Sequence, residues 1–307
     1  MEGELNVSYF ILDRHVEHHR FRYLYFTVVL TVYVLILCSN CTVVYLICKQ
    51  PDLHEPMCVF IAALLLNSVV FSTNIYPKLL LDFLSDTQVI SHKACLLRFF
   101  LFYTSGNSEF LLLAAMAYDR YVSICRPLHY PSIMRRSTVS VLVASTWFVP
   151  ACQVVATTAT ISSQSLCSFR LRGIFCNSSV YSLLCVTSRV SVFGVFTLLN
   201  SVVLSVIFIV FTYTRILLIC YCSSADVRRK AAHTCLPHLL VLINLFFLVT
   251  YDVVTVRVNP DLPKTAFLIM TLELVSYNPL SNPLIYGLKM KEIQKNLKKL
   301  FCAHENS

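Results

Sequence analysis

An all-α bundle of seven membrane-spanning helices, closed by a short amphipathic C-terminal helix, is the fold these 307 residues predict. The chain is 57% hydrophobic and only 13% charged, whereas soluble domains are about 45–50% apolar and about 25% charged. Its apolar residues fall into seven blocks, at 23–48, 57–84, 94–125, 138–160, 190–220, 232–256 and 265–288. Each block exceeds the roughly 20 residues that carry a helix across a bilayer. Helices satisfy their own backbone groups in lipid, and the period-two alternation of a membrane barrel is missing.

The first 22 residues carry Glu2, Glu4, Asp13, Arg14, Glu17 and Arg20. No stretch there is apolar enough for a cleavable signal, so 1–22 reads as a tail and the first span as combined signal and anchor. Residues 23–288 form one domain, with Asn40 in the first span. The second span follows Leu53-His54-Glu55-Pro56-Met57 and contains Pro77. The third carries the acid Glu109 and ends in Met116-Ala117-Tyr118-Asp119-Arg120-Tyr121. The fourth holds Trp147, the only tryptophan. The fifth and sixth flank the basic run Arg228-Arg229-Lys230, and the seventh contains Asn282, Pro283 and the acid Glu273. A proline removes a helix hydrogen bond, so Pro283 marks a candidate hinge. Residues 289–307 make a final segment. Met290, Ile293, Leu297 and Leu300 recur there at helical spacing, with lysines on the other faces, as in a helix lying on a membrane surface. Cys302, just beyond, is a candidate for palmitoylation.

Basic residues orient such a bundle, because cytoplasmic segments are enriched in Lys and Arg. With the N-terminus outside, the inner segments hold 14 of the 25 basic residues and 6 of the 16 acids. The N-terminus is therefore expected outside the cell. The net charge of +9 reads as contact with anionic lipid and cytoplasmic partners, with no nucleic acid expected. Two N-glycosylation triplets begin at Asn6 and Asn177. Asn6, in the tail, is the preferred acceptor, since Asn177 adjoins a cysteine. Of the 14 cysteines, Cys95, Cys167, Cys176 and Cys185 fall on the outside. Four such residues allow three disulfide connectivities. Most others sit singly in apolar spans, as small buried hydrophobes do. No enzyme, cofactor or metal site is expected. The chain has no Gly-rich phosphate loop and no HExxH, and the pair His18-His19 lacks a third ligand. No internal repeat of the transporter kind is seen.

The block from Met116 to Tyr130 resembles the MAYDRYVAICxPLxY signature of vertebrate odorant receptors, within the rhodopsin-like G-protein-coupled receptors. Ser123 stands where that family has Ala. Other blocks follow the family in order. Leu53 to Met57 is similar to LHxPMY, with Cys58 for Tyr, and Pro77-Lys78-Leu79-Leu80 to PKML. Lys230 to Leu239 is similar to KAxxTCxSHL, with Pro237 for Ser. Pro279 to Tyr286 is similar to PxLNPxIY, with Ser281 out of pattern. Details such as LHEPM and IYPKLL look most like the fish-type branch.

That resemblance implies residue roles. Asp119 holds Arg120 at rest, and release of Arg120, beside Tyr121, opens a cavity for the C-terminal helix of a G protein. The rival reading of Arg120 is a side chain that snorkels to the headgroups. Tyr213 and Tyr286 match tyrosines that face the arginine in active receptors. Phe246 occupies a switch position where the family usually has Tyr. Asn40 is expected to bond the backbone of span seven. Glu109 sits near the sodium site of many rhodopsin-like receptors, but Ser68 replaces the usual partner acid. The pairs Cys95–Cys176 and Cys167–Cys185 would fix a loop roofing the ligand cavity. The cavity wall would include Phe102, Tyr103, Gly106 and Asn107, then Thr197 and Ser201, then Phe246, Val249, Thr250 and Val253. The implied function is a receptor that binds a small odorant and activates a stimulatory, olfactory-type G protein, raising cyclic AMP. It would act in the plasma membrane, in cilia of olfactory neurons. The alternatives are a rhodopsin-like receptor for a non-odorant ligand and, from another class, a membrane transporter.

Overall fold

A computed structural model of the chain describes residues 9–13, 21–171, 173–185, 187–221, 229, 235–236, 239–247, 264–289 and 293–295. The helices are α1 (Arg22–Lys49), α2 (Pro56–Leu84), α3 (His92–Cys125), α4 (Arg136–Ser162), α5 (Thr187–Tyr221), α6 (residues 239–247) and α7 (Lys264–Lys289). A separate turn, Tyr130–Ile133, lies between α3 and α4.

Local chemistry sets several helix ends. Pro56 opens α2 at its first position, where a missing N–H costs nothing. Ser91 caps α3, its hydroxyl accepting from the Ala94 amide at 3.4 Å. Prolines persist inside α2 (Pro77), α4 (Pro150) and α7 (Pro279 and Pro283).

Among the described residues, α1, α2, α4 and the Val202–Tyr221 part of α5 are apolar and long enough to cross a bilayer. Helix α3 is more polar, and its position explains why. It packs against α2, α4 and α5 at once, so Glu109 and Asp119 are buried in protein, as intramembrane acids require. Helix α1 packs on α2 and α7.

One end of the bundle carries a small sheet. Strand β1 (Tyr9–Leu12) pairs antiparallel with β2 (Val89–Ser91) and parallel with β3 (Arg170–Leu171). Part of the expected tail is therefore regular structure. Phe10 and Leu12 point inward, while Tyr9 and Ile11 are about half exposed. Phe10 packs edge-on to His92. The same end holds the disulfides Cys95–Cys176 and Cys167–Cys185, with Cα separations of 5.5 and 4.9 Å. These strands and bridges form a roof, and Asp119 and Arg120 lie at the opposite end of α3.

Candidate functional site

At the end of α3 away from the roof, Arg120 Nε donates to Asp119 Oδ2 at 2.9 Å, and a second guanidinium nitrogen reaches the same oxygen. Asp119 is fully buried, so its charge depends on these partners. Its other oxygen accepts from the Tyr130 hydroxyl at 2.8 Å. The sequence reading missed Tyr130, although it closes the same signature block. Burial, and next the adjoining Asp119 carboxylate, push the Tyr130 phenol well above its usual pKa. The hydroxyl therefore keeps its proton and remains a donor. Tyr213 on α5 and Tyr286 on α7 are buried in the apolar cluster at this end, and Tyr121 packs against it. The Tyr213 hydroxyl has no hydrogen-bond partner among the described residues and lies in the field of Arg120.

Toward the bundle centre, polar side chains tie four helices together. Asn40 on α1 donates to the Pro279 carbonyl on α7 at 2.8 Å. Asn282 Nδ2 donates to Glu109 Oε1 at 3.1 Å and to Ser68 Oγ at 3.4 Å, linking α7 to α3 and α2. Asn67 donates to the Ser105 carbonyl on α3. Thus Glu109 meets the Asn282 amide, which also reaches the Ser68 hydroxyl, and position 68 offers no second carboxylate. Glu273 is exposed on α7.

Nearer the roof, an aromatic patch surrounds Phe102. Its ring lies 5.2 Å from Phe71, 5.1 Å from Phe175 and 5.1 Å from Tyr103, centroid to centroid. Phe71 and Phe175 were not anticipated, because they lie on α2 and on the loop beside Cys176. Tyr103 also packs on Phe99. Among the described residues, a methyl placed on Gly106 would meet nothing within 4 Å, so they leave open space beside α3 there. Asn107 is buried and donates its amide to the Tyr103 carbonyl. Thr197 and Ser201 are on α5, with side chains outside the described set. Phe246 on α6 is 50% exposed and meets Phe247 edge-on. Val249, Thr250, Val253, Asn6, His18, His19, Arg228, Lys230 and Cys302 lie outside the described residues. From the final segment, residues 293–295 are helical. Ile293 is fully buried in the bundle's apolar cluster and Lys295 is exposed.

A polar-centred helical bundle with a disulfide-bonded roof and a buried Asp-Arg pair at its far end defines a seven-helix membrane receptor. The family model described as "Olfactory receptor" matches residues 29–304. The chain is 34% identical to human "Olfactory receptor 10A5", over 91% of this chain and 88% of that one. It is 33% identical to mouse "Olfactory receptor 5AR1", over 97% of each. Chicken "Olfactory receptor-like protein COR5" is 32% identical, over 96% of this chain and 95% of its own. The chain belongs to the olfactory receptor family, the odorant branch of the rhodopsin-like G-protein-coupled receptors. It is a membrane protein and not an enzyme.

Proposed function

We propose that the chain binds a small odorant in the roof-side half of the bundle and activates a stimulatory, olfactory-type G protein, raising cyclic AMP. The N-terminus and the roof face outward, and the receptor works in the plasma membrane of olfactory cilia. The cavity is walled by Phe102, Tyr103, Gly106 and Asn107, with Thr197, Ser201, Phe246, Val249, Thr250 and Val253 contributed by the fifth and sixth spans. The switch comprises Asp119, Arg120, Tyr121, Tyr213, Phe246, Asn282, Pro283 and Tyr286. The mechanism is population shift. A ligand that binds the active arrangement better than the resting one moves the equilibrium by its differential affinity.

The buried Asp119, held by Arg120 and Tyr130, carries this reading. Such a lock favours the resting bundle, and losing it frees a cation in whose field Tyr213 lies. The roof disulfides support an oxidising outer face. The test is a broad odorant screen with a cyclic AMP reporter. A confirmed response should disappear in Arg120→Ala while surface staining persists. A response of unchanged size in that variant refutes the role of Arg120.

A further inference from the structure

We propose that the α2–α3 seam beneath the roof is an anion subsite, and that the ligands of this receptor include small amphipathic carboxylates; this rests on the odorant-receptor reading and names its ligand class. The seam is a ladder of rungs, one helical turn apart. Phe71 and Phe102 form the innermost rung, in contact across the two helices. One turn nearer the roof are Asn74 on α2 and Arg98 on α3. The Asn74 amide donates to the Arg98 carbonyl at 3.1 Å, and the Arg98 guanidinium donates to the Asn74 carbonyl. Beyond them on α2 come Lys78 and then Asp82, which form an ion pair. Beyond Arg98 on α3 comes Cys95, whose bridge to Cys176 places Phe175 over Phe102. The charged rungs thus lie between an aromatic floor and the loop roof.

Among the described residues, the charges on the seam do not cancel. Asp82 is its single carboxylate among the described residues and is almost fully buried. Lys78 contacts it directly, and Arg98 lies within its field. Counted over the described residues, two cations against one anion leave a surplus positive charge. A guanidinium partly withdrawn from water is costly unless its charge is fully matched; Arg98 shares the Asp82 charge with Lys78, and the Asn74 carbonyl offers only a dipole. Lys78 keeps 22% of its side chain exposed, and Arg98 is also partly exposed. Both are therefore reachable by a ligand. The fork of a guanidinium, with five N–H donors, matches the two oxygens of a carboxylate. An acid whose apolar tail lies on Phe71, Phe102 and Phe175 supplies the missing charge and covers the aromatic patch. An ammonium ligand would add to the surplus and is disfavoured.

The experiment uses the full-length receptor purified in detergent. Its thermal midpoint is measured with octanoate and phenylacetate, and with octanol and phenylethanol as uncharged counterparts. The acids should raise the midpoint well above the alcohols. Arg98→Gln should erase that difference, and Arg98→Lys should retain part of it. Asp82→Asn should enlarge it, because the surplus charge grows; this gain-of-binding variant keeps the test decisive where Arg98→Gln does not fold. Equal midpoints with acid and alcohol in the unsubstituted receptor overturn the subsite. So does an undiminished acid preference in Arg98→Gln. The same compounds are run in the cyclic AMP assay. Stabilisation by acids without any odorant-driven signal defeats the coupling reading and leaves the subsite standing. Signals from alcohols equal to those from acids do the reverse.

Discussion

Asn40 on α1 donates its side-chain amide to the Pro279 carbonyl on α7, 2.8 Å away. That carbonyl lies four residues before Pro283, which has no N–H to offer it. Asn40 therefore takes the place of the hydrogen bond that the proline removes. Asn40 and Pro283 form one device, although 239 positions separate donor from acceptor.

Asn40→Ala should leave this buried carbonyl unpartnered. The expected cost is about 1–3 kcal/mol, seen as a lower thermal midpoint of the purified receptor and weaker surface staining. Adding Pro283→Ala should restore much of the loss, because the helix then satisfies its own carbonyl. Additive losses in the double variant would show that the two are not coupled.

Tyr130→Phe should loosen the resting state. A hydrogen bond to a charged group contributes about 1.5–3 kcal/mol, and roughly 1.4 kcal/mol corresponds to a tenfold shift in an equilibrium. Basal cyclic AMP, normalised to surface receptor, should rise several-fold. Basal output identical to the parent receptor would remove Tyr130 from the switch.

The same contact should be insensitive to pH in the physiological range. The folded phenol has a raised pKa, first from burial and then from Asp119. A group raised in this way stabilises the fold fully below its unfolded value of about 10. It loses that contribution only as pH climbs beyond there. The difference in basal signal between the parent and Tyr130→Phe should stay flat from about pH 6 to about pH 9. A midpoint inside that window would place another titrating group at the lock.

Two glycines should respond in opposite ways to alanine. At Gly194 on α5 an added Cβ would collide with the Tyr181 hydroxyl oxygen and lie 2.7 Å from the ring. Overpacking of this kind costs about 1–3 kcal/mol, so Gly194→Ala should reduce surface expression. Shortening Tyr181 in the same molecule should relieve it. At Gly106 the added methyl meets none of the described residues, and alanine favours a helix interior by roughly 0.5–1 kcal/mol. Gly106→Ala should express at least as well as the parent but shift the odorant concentration needed for half-response. An unchanged dose response with a large odorant would mean that the space beside Gly106 is not part of the cavity.

The spans were readable because lipid selects long apolar blocks, and the ends of α1 to α5 and of α7 fall within three residues of the block boundaries in sequence. Helix α3 was readable for another reason, its signature at Asp119 and Arg120, since its own composition is mixed. Strand β1 was hidden. Tyr9, Phe10, Ile11 and Leu12 are all apolar, so the alternation of their burial leaves no trace in the letters. The wall around Phe102 was legible on α3 through family pattern, while Phe71 and Phe175 became visible only once α2 and the roof loop were folded against it. The Asn74–Arg98 pair was missed for a similar reason. Each residue looks ordinary in its own segment, and the surplus charge exists only where the two helices meet.

Strand β1 also bears on how the protein can be handled. Ile11 donates to the Phe169 carbonyl, Leu12 to Gln88 and Asp13 to Leu171. These bonds stitch the chain terminus to the two loops beside the disulfides. An epitope tag fused ahead of Tyr9 leaves the stitching whole. The same tag inserted between Tyr9 and Asp13 unpicks it, and a trafficking defect measured with such a fusion would report on the tag.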